Sequence, residues 1–428
     1  MRTTIEHKIG LWRALTWLVR LSFLLTLIVI VLGAYTRISD AGLGCPDWPG
    51  CFGQLSVPNE HHEIEAANTR YPDLMVEPHK AWLEMIHRYV AATLGLMIAA
   101  ILFFSIRLAR LKFIKLSIAL PIGLSILVIA QAALGMWTVT LKLMPIIVML
   151  HLVGGFSIAC LLLWLHLRLQ HIKHYIMKLL ATVPLQTDSS AISTLSSRSH
   201  IRGSLQQRDK ASPPENPPTQ GLKRLGILGL IILIMQIMLG GWTSSNYAAL
   251  MCTSLPICEG NWWQQLQFTS AFSVLQTAHH NANGSYEFGV LDYASRMTIH
   301  VSHRFGALLT AGVLISLALQ LIRWHAFSTS TSTSTSTSTS TSTSTSTSTS
   351  TSTSSRSLHH FRRLGWWLMG LVVIQIGLGI ANVLLHLPVI LAVAHNFVAA
   401  LLLLMMVKIH FALRYSERTP QSLCAKQC

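Results

Sequence analysis

The sequence predicts an all-α polytopic membrane protein in which eight transmembrane helices form two tandem four-helix bundles related by internal duplication. Composition gives the first reason. The chain has 428 residues, of which 51% are hydrophobic and only 11% charged, and ordinary soluble domains carry about twice that charged fraction. The second reason is that the apolar residues form long blocks. The third is that motifs of the first half recur in the same order in the second half.

Eight apolar blocks are long enough to cross a bilayer. Their approximate limits are residues 12–35, 83–106, 116–139, 145–167, 224–245, 297–322, 364–384 and 388–407. The first block lacks a small-residue cleavage site at its end, so we expect a retained span rather than a removed signal peptide. The predicted units are a first bundle at 1–170, an inner linker at 171–223, a second bundle at 224–412 and an inner tail at 413–428.

The charged residues of the loops predict the orientation. The loop at 38–80 contains seven acidic residues against Arg70 and Lys80, whereas the linkers at 170–223 and 323–363 are basic. Because Lys and Arg accumulate in cytoplasmic loops, both termini are predicted to be cytoplasmic and the acidic loop to face outside. The same rule explains the net charge of +16. We expect no nucleic-acid partner, since no basic patch with interleaved aromatic residues is found.

The internal duplication is visible in several motifs. The first span ends in LGAYTRISDAGLGC and the fifth in LGGWTSSNYAALMC. Gln131 precedes His151 by 20 residues, and Gln375 precedes His395 by the same number. Between its paired histidines the second half is longer by 28 residues, which is the length of an uninterrupted Ser/Thr tract at 328–355. Without that tract the halves keep one register and are predicted to be parallel repeats. The tract is expected to be a flexible inner loop without function.

Two pairs of histidines are the main candidates for a functional site. Each half has one histidine at the outer start of its second span and one near the outer start of its fourth, namely His87 with His151 and His303 with His395. Since these ends lie on one side of the membrane, two imidazoles can converge within each bundle and hold a haem. A single buried histidine is more often a polar contact between helices, but two matching pairs favour haem. Zinc or copper is less favoured, because no further ligand is repeated at that depth.

The ionisable residues next to the histidines differ between the halves. Arg88 and Arg304 each follow a histidine and could pair with haem propionates or extend to the membrane boundary. Glu84 stands three residues before His87, where the second half has His300. A glutamate at this depth could be structural, but the difference favours a reactive carboxylate in the first half only. It suggests one substrate site and one redox site.

Each outer loop contains two cysteines six residues apart, Cys45 with Cys51 and Cys252 with Cys258. Short loops of this kind, facing an oxidising compartment, are compatible with disulfides. The first pair could be a structural cross-link or a redox-active disulfide that passes electrons. For the second pair a structural cross-link is favoured.

Together these motifs resemble the haem A synthase family. The resemblance covers nearly the whole chain apart from the inner linkers, and it rests on LGAYTRISDAGLGCPDWPGC, the Glu84-x-x-His87-Arg88 motif, the other paired histidines and the two cysteine loops. It implies an enzyme of the bacterial cytoplasmic membrane that converts haem O into haem A by oxidising a porphyrin methyl group to a formyl group. Two features depart from the family: the second loop, CTSLPIC, lacks the tryptophan of CPDWPGC, and the Ser/Thr tract is not a family feature.

The resemblance also assigns roles to residues of the first half. It implies that His87 and His151 flank the substrate haem O, that Glu84 is the catalytic residue and that Cys45–Cys51 is the active disulfide. Because histidines would occupy both faces of the iron, we expect oxidation at the edge of the porphyrin ring. There a carboxylate could stabilise positive charge or accept a proton.

In the second half the resemblance implies a haem b cofactor held by His303 and His395, which relays electrons away. The expected partners are the substrate haem O, the lipid bilayer, the farnesyltransferase that produces haem O, and quinone or another electron acceptor. Two other functions also fit the residues. One is a di-haem cytochrome b that passes electrons to quinone, and the other is a membrane protein that only handles haem.

Overall fold

In the computed structural model of the chain, residues 2–72, 74–111, 117–182, 220–255, 258–274, 284–330 and 351–415 are described. Across these ranges the chain forms ten α-helices, one 3-10 helix at Trp262–Gln265 and no β-strand. The α-helices are α1 (Arg2–Ile38), α2 (His61–Arg70), α3 (Pro78–Arg110), α4 (Ala119–Thr140), α5 (Pro145–Thr182), α6 (Gln220–Ser245), α7 (Phe268–Ala271), α8 (Tyr293–Ser330), α9 (Thr351–Leu384) and α10 (Val389–Tyr415).

Within these ranges eight helices are long and apolar enough to cross a membrane, which confirms the predicted spans of a multi-pass membrane protein. The helices α2 and α7 were not predicted, and they lie in the loops that are predicted to face outside, which we call the outer loops. Helix α5 continues to Thr182, well beyond the end of its apolar block, because the segment after residue 167 contains no helix-breaking Gly or Pro. Three parts of the predicted units lie outside the described residues: 183–219 of the inner linker, 331–350 of the Ser/Thr tract and 416–428 of the tail.

The helix contacts form two closed rings of four spans each. In the first half α1 contacts α3 and α5, and α4 contacts the same two helices. In the second half α6 contacts α8 and α10, and α9 contacts the same two helices. Leu15, Ile98 and Leu162 are fully buried within the first ring, and Leu317 and Leu368 within the second. Each ring therefore has its own apolar core.

The two rings also pack against each other, through contacts of α1 with α10 and of α5 with both α6 and α10. One hydrophobic cluster crosses this interface and joins Ile30 and Phe156 of the first half to Leu402 of the second. At the outer end of α1, Nη1 of Arg37 donates a hydrogen bond to the hydroxyl of Tyr247 at 2.8 Å. The guanidinium of Arg37 also lies 4.2 Å from the centre of that ring.

Two corresponding turns have the same backbone geometry. Helix α4 is followed by Lys142 and Leu143 with φ values of 47° and 65°, and α9 by His386 and Leu387 with φ values of 57° and 63°. Residues other than glycine rarely adopt this left-handed conformation. Its double occurrence at matching places supports the internal duplication, which stays a prediction.

The first outer loop folds directly over the start of α3. Cys45 and Cys51 belong to a buried apolar cluster that includes Ala81 of α3. Gly44 permits this close approach, because a Cβ atom at that position would lie 2.7 Å from the backbone carbonyl carbon of Lys80. The disulfide loop is thus placed against the first turns of α3.

Candidate functional site

The histidine pair of the first half is brought together by the helix ring. His87 lies on α3 and His151 on α5, their ring centres are 6.5 Å apart, and the ring planes are inclined by 72°. A metal–imidazole bond of about 2 Å on each side fits within this separation. The residues present therefore fit a single iron shared by two imidazoles.

The second pair occupies the corresponding helices of the other half. His303 lies on α8 and His395 on α10, which correspond to α3 and α5 of the first half. Among the described residues no group of three or more His, Cys, Asp and Glu side chains converges as it would at a typical zinc site. In the described part of the chain, the two histidine pairs are therefore the candidate metal ligands.

Each of the four rings packs against a glycine of a neighbouring helix, which we call its seat glycine. A Cβ atom at a seat glycine would lie 2.9 to 3.3 Å from Cε1 of the facing ring, closer than ordinary van der Waals contact. The pairs are Gly33 with His87, Gly135 with His151, Gly240 with His303, and Gly379 with His395. Larger residues at these positions would displace the rings.

Three glutamines that were not predicted as site residues lie beside three of the rings. The distances from the amide nitrogen are 3.0 Å to Nδ1 of His151 for Gln131, 3.0 Å to Nδ1 of His303 for Gln236, and 3.2 Å to Nε2 of His395 for Gln375. Partners of this kind fix the orientation and tautomer of a metal-binding histidine. A signal existed in the sequence, since each glutamine stands four residues before a seat glycine, in QAALG, QIMLG and QIGLG.

Glu84 connects the disulfide loop to α3. It is 5% exposed, and its Oε2 accepts a hydrogen bond from the backbone N–H of Cys45 at 3.0 Å. Its Oε1 accepts one from Nη2 of Arg88 at 2.5 Å. Nη1 of Arg88 donates to the carbonyl groups of Asp47 at 2.9 Å and Gly50 at 2.5 Å. The carboxylate is therefore fixed between the loop and the turn that carries the histidine.

The second half repeats this arrangement with an imidazole in place of the carboxylate. Nε of Arg304 donates to Nε2 of His300 at 3.2 Å. Nη1 of Arg304 donates to the carbonyl of Ser254 at 2.8 Å, and Nη2 to the carbonyl of Cys252. Both arginines thus bind the backbone of a cysteine loop, and the acidic group is present in the first half only.

Each outer loop contains one disulfide bond, Cys45–Cys51 in the first half and Cys252–Cys258 in the second half. Cys45 and Cys51 are completely buried. The backbone N–H groups of Phe52 and Gly53 each donate a hydrogen bond of 2.7 Å to the carboxylate of Asp47, which closes the first loop around its disulfide.

Two rings of membrane-spanning helices, each enclosing a histidine pair, define a class of polytopic membrane protein suited to haem. A family model described as COX15-CtaA, cytochrome oxidase assembly protein, matches residues 16–343 and 334–407 of the chain. A heme A synthase from Shewanella oneidensis is 45% identical over 399 residues, which cover 93% of this chain and 96% of that relative. The chain therefore belongs to the COX15-CtaA family of cytochrome oxidase assembly proteins.

Proposed function

We propose that this protein is a haem A synthase, which oxidises a methyl group of haem O to a formyl group and supplies haem A to terminal oxidases. The 45% identical relative carries that name. The observation on which the proposal rests is that a buried carboxylate, Glu84, lies one helical turn from the histidine pair of the first half. The second half has His300 at the same place.

The first half is the proposed substrate site, with haem O bound between His87 and His151. With His87 and His151 as its ligands, the iron would have no open position for oxygen, so the reaction would take place at the methyl group on the porphyrin edge. When water supplies the oxygen, conversion of the methyl to the formyl group releases four electrons and four protons.

Glu84 is the proposed catalytic residue of this reaction. Removal of two electrons and one proton from the methyl group leaves a positively charged carbon, to which water can add with loss of a second proton. A nearby carboxylate stabilises that charge or accepts a proton. The hydrogen bonds from Cys45 and Arg88 hold both carboxylate oxygens in place. A carboxylate fixed in this way needs little reorganisation when the charge develops.

The second half is the proposed cofactor site, in which His303 and His395 hold haem b. When bound, haem b would supply one-electron redox chemistry and relay electrons away from the substrate. The packing supports such a relay, because α5, which carries His151, contacts α10, which carries His395. The replacement of the carboxylate by His300 fits a half that does not carry out the methyl oxidation.

The first outer loop has a proposed redox role. A Cys45–Cys51 disulfide that accepts two electrons and two protons becomes two thiols. The backbone N–H of Cys45 donates a hydrogen bond to Glu84. The disulfide therefore lies close to the proposed catalytic residue, which favours transfer of electrons to it. Arg88 and Arg304 are proposed to bind propionates of the two haems. Each arginine now donates a hydrogen bond to a loop carbonyl and would have to donate it to a propionate oxygen instead.

The proposed location is the bacterial cytoplasmic membrane, with both termini in the cytoplasm. The basic inner linkers and the acidic first loop support this orientation. The proposed partners are the farnesyltransferase that produces haem O, and a quinone or another acceptor that removes the electrons.

Extraction of the pigment from the full-length protein, followed by mass spectrometry, tests the proposed function. Glu84→Gln keeps the size of the side chain and removes its charge. We expect this variant to retain both haems and to produce at least about 100-fold less haem A, as is typical when a general acid–base group is lost.

The matched control is Glu65→Gln, which changes a solvent-exposed glutamate of α2 and is expected to leave haem A production unchanged. Normal haem A production by the Glu84→Gln variant would refute the catalytic role. A wild-type pigment that contains haem b alone would instead support the di-haem electron carrier.

A further inference from the structure

The four seat glycines lie in four related pentapeptides, which reveal one exception. Three of these read QAALG, QIMLG and QIGLG, whereas the pentapeptide that ends at Gly33 reads VIVLG. A residue four positions before a seat glycine lies on the same helical face. Val29 therefore occupies, beside His87, the place that a glutamine occupies beside each of the other three histidines.

The structure shows the consequence of this exception at His87. Its Nδ1 is buried and has no hydrogen-bond partner among the described residues; Nδ1 of His395 has none either, but an amide lies beside the Nε2 of that ring. The Val29 side chain packs against the apolar core of the first ring of helices. Within the described part of the chain, no amide group is hydrogen-bonded to this Nδ1.

A missing partner weakens a histidine as a metal ligand. An amide can rotate to present its oxygen to an Nδ1–H group, which orients the ring and increases the basicity of the nitrogen bound to the metal. Loss of such a partner typically costs 10- to 100-fold in metal affinity or activity. An amide lies beside Nδ1 of His151 and His303 and beside Nε2 of His395, whereas Nδ1 of His87 has no partner among the described residues.

We propose that Val29 makes His87 the exchangeable axial ligand of the protein, so that the haem of the first half can enter and leave while the haem of the second half stays bound. The inference rests on the proposed function, which assigns the substrate to the first half. A substrate haem must be released after oxidation, and a cofactor must not. Val29 is thus a positioning residue, which acts through the ring of His87.

Transfer of haem from the purified full-length protein to an excess of apomyoglobin tests this proposal without any turnover. The wild-type protein is expected to lose one haem quickly and one slowly. Val29→Gln supplies the missing amide and is expected to slow the fast phase by about tenfold or more. It should also lower the midpoint potential of that haem, because a more basic ligand stabilises ferric iron.

The matched control is Val31→Gln, which places the same side chain on the opposite face of α1 and is expected to leave both phases unchanged. The reciprocal variant Gln236→Val removes the amide beside His303 and is expected to make the slow haem exchange faster. It keeps the proposal testable if Val29→Gln does not fold. Unchanged exchange rates in a folded Val29→Gln or Gln236→Val variant would overturn the proposal.

The exchange rates and the pigment analysis can fail independently. If the wild-type pigment lacks haem O and haem A but Val29→Gln still slows the fast phase, the ligand asymmetry stands and the proposed function fails. If haem A is produced but the variants exchange haem at the wild-type rate, only the role of Val29 fails.

Discussion

At the scale of single residues, the seat glycines determine how closely each imidazole can approach the neighbouring helix. Gly379 and Gly377 lie on the same helix and allow a direct comparison. A Cβ atom at position 379 would lie 3.3 Å from Cε1 of His395, whereas one at position 377 would have no heavy atom within 4 Å. Both Gly→Ala changes favour the helix by about 1 kcal/mol. The difference between the variants therefore isolates the contact with the ring.

We expect Gly379→Ala to displace the His395 ring and to weaken haem binding in the second half by about tenfold, since overpacking a tight site costs about 1–3 kcal/mol. The measurement is the haem content and the absorption spectrum of the purified protein. Gly377→Ala should retain full haem content and unfold at a slightly higher temperature. Equal haem content in the two variants would show that the seat glycine does not constrain the ring.

At the scale of elements, the first outer loop depends on its contact with α3. Gly44→Ala would bring a Cβ atom to 2.7 Å from the backbone carbon of Lys80, and backbone cannot yield as a flexible side chain can. We expect the loop to move away from α3 and the hydrogen bond from Cys45 to Glu84 to lengthen. The Cys45–Cys51 disulfide should then be reduced faster by dithiothreitol. Thiol labelling over time measures that rate.

Gly42→Ala is the control for this loop, because its Cβ atom would meet only the end of the Leu143 side chain, at 3.2 Å. It should leave the reduction rate close to that of the wild type. If Gly44→Ala reduces no faster than Gly42→Ala, the tight approach of the loop does not protect the disulfide.

The elements also show how far the sequence can be interpreted. The eight spans were predictable, since each contains about the 20 predominantly apolar residues that a helix needs to cross a bilayer. Helix α2 was not, because His61–Arg70 is polar and is held by a local device. The backbone N–H groups of Asn59 and Glu60 donate to the Glu63 carboxylate and hold the pKa of Glu63 below its ordinary value.

Within the site, the pairing of the histidines was predictable from the repeat, whereas Gln236 was missed. It lies in the fifth span, which the internal duplication aligns with the first span, and there the corresponding residue is Val29. Comparison of the fifth span with the first therefore pairs Gln236 with a valine. The repeated glutamine becomes visible only when QIMLG is compared with QAALG and QIGLG of other spans. Contacts between the halves, such as that of Arg37 with Tyr247, join residues far apart in the sequence and follow only from the three-dimensional packing.

At the scale of the whole molecule, the two halves must keep a fixed relation if electrons are to pass between them. Their outer ends are joined by Arg37, which donates hydrogen bonds to the Tyr247 hydroxyl at 2.8 Å and to the carbonyl of Ser244 at 3.0 Å. Burial is the main cause that raises the pKa of Tyr247. The neutral phenol is therefore favoured in the folded state, and this contribution to stability is lost only as the pH rises above the ordinary tyrosine pKa of about 10.

We expect Arg37→Ala to destabilise the protein by about 1.5–3 kcal/mol, the range for hydrogen bonds to a charged group. Tyr247→Phe keeps the ring under the guanidinium and removes only the hydroxyl, so about 1 kcal/mol should be lost. Arg20→Ala is the matched control, because Arg20 stacks on Trp17 of the same helix, 5.3 Å from its ring centre, and that contact does not join the halves. Thermal unfolding in detergent ranks the three variants. An Arg37→Ala variant as stable as Arg20→Ala would mean that the apolar cluster between the rings holds the halves together without this contact.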